Sequence, residues 1–597
     1  MIQYLRKVYR LLDYKEKVKV AILVFLMSIA AILEVLSVVS IPSLVDILND
    51  PERVLSDERL TFLWESLGID DNRSLLIFGA VFVLAAFVLK NVFLVFYKYI
   101  STKFIFGLYS RLGDKLFQTY MDAPYTFHLG RNSAELLRNV TQETQLLIVQ
   151  FLFPFLKFIM DIAIIGGIIL LLLYVDPIMT VIVFAVLGGG SMVFMRSLRG
   201  LIKKYGLQEQ EYRGKMIQSV NEGLGGLKDV KVMRRTGFFK DRFKHDLRKT
   251  SNSYRFKEFI SQIIIPSVET FAVIGMLLMA LFLMVQGRGL ENILSVLVLF
   301  VVATARLMPA FKKAVNHFTA IKYHAYVVDP VYDDLTNIRQ KIKEEEDFQQ
   351  TEPLPLKNEI AFEKVTYNYP NSDEKALNEI SLKIKKNQTV AFVGSSGAGK
   401  TTIVDVLLGL LKPKSGTVRV DDVDIFSRLA SWQKNVGYIP QFIYLSDDSI
   451  RKNIAFGIPD NLIDDQKIEK AMRSAQLHEF VDKMPEGVET VIGEGGVRLS
   501  GGQRQRIGIA RALYHEPNVL IMDEATSALD NETERNVMAA VDKLKEGRTI
   551  IIIAHRLTTV RNADHLFLLQ EGQLATEGTY DDLLEKSETF KSMASDM

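Results

Sequence analysis

Apolar and polar positions divide this chain into two regimes. Before about residue 310, long stretches run almost without charge, at about 20–45, 74–98, 147–174, 177–196, 262–286 and 291–310. A helix needs roughly 20 mostly apolar residues to cross a bilayer, so the pattern predicts six membrane-spanning helices. Asp176-Pro177 reads as a tight turn between the third and fourth, because the residue before proline is pushed out of the helical region. Gln286-Gly287-Arg288-Gly289 separates the fifth from the sixth. Beyond about residue 355 the patterning is that of an ordinary globular domain.

The connections between spans differ in character. Those at about 99–146 and 197–261 are long and keep helical periodicity, which predicts helices continuing well past the membrane. The segment 46–73 is acid-rich, with Asp46, Asp50, Glu52, Asp57, Glu58, Glu65, Asp70 and Asp71. Its apolar patch, Leu60, Phe62, Leu63, Trp64 and Leu67, fits either a short helix on the membrane surface or a packed loop. Basic residues gather instead near the N-terminus (Arg6, Lys7, Arg10, Lys15) and in 196–261 (Arg196, Arg199, Lys203, Lys204, Arg234, Arg235). The positive-inside rule therefore puts both termini in the cytoplasm and 46–73 outside. The polar stretch 331–358 reads as a linker between domains at 1–330 and 359–597.

Composition adds constraints. The chain has 597 residues, room for several domains, and a net charge of +2, which carries no electrostatic footprint for nucleic acid. It has no cysteine, so disulfides and thiolate metal sites are excluded; this fits a reducing cytoplasm. The first apolar stretch is too long for a cleaved secretory signal and is expected to stay as a helix.

The chemistry lies after residue 358. Gly394-Ser395-Ser396-Gly397-Ala398-Gly399-Lys400-Thr401, with Thr402 next, is a phosphate loop. A strand-like run, Thr389 to Val393, precedes it, and a helix-like run, Ile403 to Leu411, follows. Glycines let backbone amides wrap phosphate, and the helix end favours anions. Lys400 supplies positive charge, and the Thr401 hydroxyl is a candidate Mg²⁺ ligand. An apolar strand, Val519 to Met522, ends in Asp523 and Glu524, candidates for the metal shell and for the general base. Leu499-Ser500-Gly501-Gly502-Gln503 opens another helix-like run, and its serine and free amides make a second phosphate-binding surface.

In this order the motifs resemble the nucleotide-binding domain of ATP-binding cassette transporters, and Leu499 to Gln503 matches that family's signature in full. The resemblance implies ATP and Mg²⁺ as ligands, Tyr369 rather than Tyr367 as the adenine-stacking aromatic, and Gln441 as a second residue touching Mg²⁺. It implies that Ser527-Ala528-Leu529-Asp530 crosses between subunits, that His555 contacts the γ-phosphate, and that Gly493-Glu494-Gly495-Gly496 precedes the signature as in exporters. The remaining seven histidines read as surface or packing residues. The fold class follows: an all-α six-helix transmembrane domain plus an α/β P-loop domain with a helical subdomain. The arrangement resembles type IV exporters, which implies a dimer, most simply a homodimer, and short coupling helices near Ala123–Phe127 and Asn221–Lys228. Six spans argue against a soluble cassette acting on nucleic acid. An intact Glu524 favours turnover over an ATP-gated channel or regulator.

For cargo the sequence offers charged residues inside spans, which usually face the bundle interior. Glu34, Glu269 and Arg306 are candidates for the pathway, whereas Lys157 and Asp161, four apart, are expected to pair with each other. Ala305 to Ala310 and Gln441 to Ile450 resemble flippases of lipid-linked oligosaccharides, which implies a polyprenyl-pyrophosphate sugar as cargo. Lipid A, drugs and peptides are the alternatives.

Overall fold

The computed structural model describes residues 2–49, 51–55, 64, 69, 71–175, 177–285, 290–338, 352–370, 372–524, 545, 547–554 and 557–595. They fall into two compact units, one of Met1–Ala123 with Arg131–Ile342, the other of Pro124–Gly130 with Lys343–Met597.

The first unit is helical. A short amphipathic helix, α1 (Ile2–Leu11), is followed by α2 (Tyr14–Asn49) and α3 (Asn72–Met121). Then come α5 (Phe153–Val175), α6 (Pro177–Gly225), α7 (Thr236–Val285) and α8 (Leu290–Tyr323). The α3 and α7 helices have 50 residues each and α6 has 49. At 1.5 Å per residue such helices run about 75 Å, more than twice the hydrocarbon thickness, so the connections are indeed continuations of the spans. The third apolar stretch opens as a wider π-helix, Leu146–Leu152, before α5 begins. Prolines interrupt α7 at Pro266 and α8 at Pro309. The hydroxyls of Ser267 and Thr270 donate to the carbonyls of Ile263 and Pro266, each at 2.8 Å, so both side chains fold back onto their own helix beside Pro266.

Beyond the apolar stretches these helices are tied by buried charge. Glu143 and Glu209 are fully buried, and Arg213 bridges them at 2.9 and 3.1 Å. Tyr254 and Tyr326 donate to Glu209 at 3.1 and 3.0 Å. Removing such charges from water is costly, and these partners offset part of that cost. At Gly206 the helices meet directly: a Cβ there would come within 2.5 Å of the Tyr323 carbonyl.

One local expectation is corrected. Asp161 pairs with His317 of α8 at 2.6 Å, across the α5–α8 interface, rather than with Lys157. Lys157 turns one helical step back and sets its ammonium 3.8 Å from the Phe153 ring centre. Interhelical packing outweighs the i,i+4 pairing. His324 is a packing histidine: it is buried and accepts from Lys257 at 3.0 Å, and burial holds its pKa well below the usual imidazole range. Of the acid-rich segment, Trp64 is buried against Phe78 with its indole N–H on the Val54 carbonyl at 3.1 Å. Leu60, Phe62, Leu63 and Leu67 lie outside the described residues, as do Asp176 and residues 286–289.

The second unit carries two sheets. A four-stranded antiparallel sheet has the order β2-β1-β4-β5, from β1 (Glu359–Tyr367), β2 (Leu377–Lys385), β4 (Ser415–Val420) and β5 (Val423–Asp424). A six-stranded sheet has the order β10-β9-β3-β8-β7-β6. Its strands are β3 (Thr389–Val393), β6 (Val436–Ile439), β7 (Val519–Asp523), β8 (Thr549–Ile553), β9 (His565–Gln570) and β10 (Gln573–Gly578). All are parallel except the edge strand β10. The central strands β3, β7 and β8 are buried at every position, which is why they read as unbroken apolar runs. Helices α10 (Asp465–Ser474) and α11 (Gly501–Tyr514) pack together with α9 (Lys400–Leu407) elsewhere in the unit. A short helix, α4 (Tyr125–Leu129), joins this unit; a second short helix spans Leu227–Val232 in the other. Each begins at or just after Pro124 or Gly226, residues that break the long helix before it.

Candidate nucleotide site

Parallel strands deliver their C-terminal ends to one edge of the sheet, and α/β sites form there. At that edge β3 leads into residues 394–399 and then α9. Gly394, Gly397 and Gly399 have φ of 147°, 82° and 99°, values an L side chain rarely adopts. At Gly399 a Cβ would also lie 2.7 Å from the Ala376 carbonyl. Loop curvature therefore demands these glycines.

Lys400 Nζ donates to the carbonyls of Gly394 and Ser395 at 2.8 and 2.9 Å. Burial lowers its pKa, while the Glu524 and Asp523 carboxylates oppose that shift. The ammonium thus lies across the mouth of the loop, on acceptors that phosphate oxygens can replace. A cleft of about 680 Å³ opens there, lined by Ser396, Gly397, Lys400, Thr401, Tyr369 and Glu524 among others. Tyr369 stands at its mouth and bonds Thr402 Oγ1 at 3.1 Å. Tyr367 is instead buried, edge-on to Tyr369 at 5.3 Å, so only Tyr369 offers a ring to a ligand.

Asp523 ends β7, buried, with the Tyr438 hydroxyl at 3.4 Å. Glu524 follows with φ of 45°, a left-handed conformation that costs on the order of 1 kcal/mol and aims its carboxylate away from the strand. The Gln441 amide donates to that carboxylate. Thr401, Gln441 and Asp523 offer a hydroxyl, an amide oxygen and a carboxylate. These are hard oxygen donors and too few to cage a cation alone, as suits Mg²⁺ sharing phosphate and water ligands.

Ser500 caps α11: its hydroxyl accepts from the Gln503 amide at 3.3 Å, and the Gln503 side chain accepts from the Ser500 amide at 2.8 Å. Ser500 and Gly501 are exposed, Gly502 buried. None of Ser500, Gly501, Gly502 and Gln503 lines the Lys400 cleft. The chain therefore brings together Tyr369, the phosphate loop, Gln441, Asp523 and Glu524, and leaves the signature apart. His555 and Ser527 to Asp530 lie outside the described residues.

The sequence reading gave two neighbours no role at the site, although Tyr125 falls within Ala123–Phe127, expected as a short coupling helix. Asp405, on α9, is raised to about 6 by burial and by Asp523. Tyr125 of α4 lies near Asp405 and Tyr369; burial, then those two groups, raise its phenol. No motif marks either residue, since each is defined only by what folds against it. In the helical unit, Glu34 pairs at 3.2 Å with Lys90, which is buried and also donates to Ser37 at 3.3 Å. Glu269 is exposed, and the Arg306 side chain lies outside the described residues.

Family models match twice: "ABC transporter transmembrane region" over residues 20–307 and "ABC transporter" over 377–527. An ATP-dependent lipid A-core flippase of Pasteurella multocida (strain Pm70) is 30% identical over 483 residues, 80% of this chain and 81% of that protein. That of Bordetella avium (strain 197N) is 32% identical over 428 residues, 70% of each. The structure of a bacterial Atm1-family ABC exporter with ATP bound superposes with a TM-score of 0.73 at 20% identity, covering 98% of this chain and 99% of that one.

Proposed function

This chain belongs to the ABC transporter family, as an ATP-driven exporter, and from that premise we propose that it works as a homodimeric lipid flippase. The observation that carries the dimer is the separation inside one chain: the phosphate loop and Glu524 share a cleft that the Ser500 signature does not line. A second copy can supply the missing phosphate-binding surface, giving two composite sites per pair.

The division of labour then follows. The loop amides and Lys400 hold the phosphates, and Tyr369 stacks on the base. Glu524 takes the proton of the attacking water, its orientation fixed by Gln441. His555 contacts the γ-phosphate. Thr401, Gln441 and Asp523 would hold Mg²⁺, which would supply positive charge to offset that of the phosphates. Closure of two cassettes on ATP tilts the long helices, and hydrolysis lets the cassettes part. The chain sits in a bacterial inner membrane with both termini and the cassette in the cytoplasm, supported by the basic loops.

For cargo, we read a lipid that carries both phosphate and sugar. The leading form is a polyprenyl-pyrophosphate oligosaccharide moved outward for protein glycosylation, supported by Ala305 to Ala310 and Gln441 to Ile450. The second is a lipid A-core glycolipid, favoured by what the relatives are named for. Proteoliposomes loaded with each lipid, and with a drug and a peptide, test the choice. ATP-dependent movement of a sugar-phosphate lipid is expected; movement of only the drug or peptide overturns the cargo class.

A further inference from the structure

Between α6 and α7, beyond their apolar stretches, lies a cavity of about 470 Å³. Tyr205 and Gln208 come from α6; Lys249, Asn252, Phe256 and Phe259 come from α7 at helical spacing, with Arg255 beside them. Tyr205 and Phe256 stack at 4.2 Å with ring planes 21° apart. Phe259, 57% exposed, is the residue nearest the apolar stretch that begins at about 262.

Two features set this cavity apart. Its lining holds two cations, two amides and three aromatic rings, but no carboxylate. Among the described residues, no hydrogen bond or ion pair engages the side chain of Lys249 or Arg255, whereas the neighbouring cations Arg213 and Arg242 both hold glutamates. Its depth is the second feature. Lys249 lies 13 residues before the apolar stretch, about 20 Å along a helix. A simple phospholipid headgroup layer is only about 5–8 Å thick. The cavity thus extends well below that layer, and its aromatic faces and amides suit sugar rings and hydroxyls as its cations suit phosphate.

We propose that this cavity is a docking site for the phosphorylated glycan headgroup of a lipid in the cytoplasmic leaflet. It deepens the flippase reading and rests on it for the class of lipid. Phe259 faces the acyl chain, Tyr205 and Phe256 form the platform, Gln208 and Asn252 serve the hydroxyls, and Lys249 with Arg255 neutralises the phosphates.

The test uses the full-length protein in phosphatidylcholine nanodiscs. The probes are farnesyl-pyrophosphoryl N-acetylglucosamine, phosphatidylglycerol and inorganic phosphate, with binding followed by native mass spectrometry. The sugar lipid should bind tightest. Lys249→Gln with Arg255→Gln should weaken it roughly 10–30-fold, about one factor of five per cation, while Lys249→Arg with Arg255→Lys retains it and basal ATPase activity persists in both. Equal binding by wild type and the glutamine variant overturns the site. Phosphatidylglycerol or inorganic phosphate binding as well as the sugar lipid overturns the glycan assignment. A glutamine variant that elutes as a monomer marks the cavity as a subunit contact and also overturns it. Should the protein transport no sugar lipid while the Lys249/Arg255-dependent binding stands, the flippase reading falls and the site does not.

Discussion

The Gln441 side-chain amide donates a hydrogen bond to the Glu524 carboxylate, joining two loops that leave neighbouring strands, β6 and β7. Glu524 is held in a left-handed backbone conformation to reach that partner. The carboxylate we propose as the base is thereby oriented by a loop of a different strand, so that movement of one is felt by the other.

Replacing Glu524 by Gln keeps shape and the possibility of a bond to Gln441 but removes the base. ATP binding should persist while phosphate release falls by about 10²–10⁴-fold, and transport with it. Phosphate release at the wild-type rate would show that another group is the base.

Tyr369→Ala should weaken ATP binding by a factor of about 5–150, corresponding to loss of one stacked ring at roughly 1–3 kcal/mol. Tyr367→Phe, which alters a buried ring that lines no part of the cleft, should leave affinity unchanged. Equilibrium titration with a fluorescent nucleotide distinguishes the two.

Asp405 has its carboxyl raised from 3.8 to about 6, chiefly by burial and then by Asp523. A carboxyl raised on folding favours the folded state fully below the unfolded pKa, and that contribution is lost as pH climbs through about 6. Asp405→Asn should therefore raise stability above pH 6, by on the order of 2 kcal/mol, and flatten the decline between pH 4 and pH 6. Thermal melting of the detergent-solubilised protein at pH 5 and pH 8 reads this out; a variant that melts with the wild-type pH dependence contradicts it.

Lys90 and Glu34 form an ion pair inside the membrane-spanning region. Glu34→Gln or Lys90→Gln alone strands the other charge and should cost about 3–5 kcal/mol, whereas the two together should cost less than the sum of the single changes. Melting temperatures across this cycle measure the coupling, and strict additivity would dissolve the pair.

Lys400→Ala and Ser500→Arg should each abolish ATPase activity in a pure population. Co-expressed, the two chains should regain part of it, because one composite site in a mixed dimer pairs an intact phosphate loop with an intact signature. No recovery in a purified mixed dimer would mean that both sites must work together.

The sequence by itself determined the elements whose causes are local. Six apolar stretches had to become helices, because a backbone in an apolar setting must satisfy its own hydrogen bonds. The phosphate loop was legible in its glycines, since only they accept the φ values of Gly394, Gly397 and Gly399. What tertiary structure alone decided were the partners of ionisable groups. Asp161 chose His317 over Lys157, Glu34 found Lys90, and Tyr125 came beside Asp405 and Tyr369. Charge interactions act over a few ångströms in space, and the helices that bring such groups together are set by packing between segments that lie far apart along the chain.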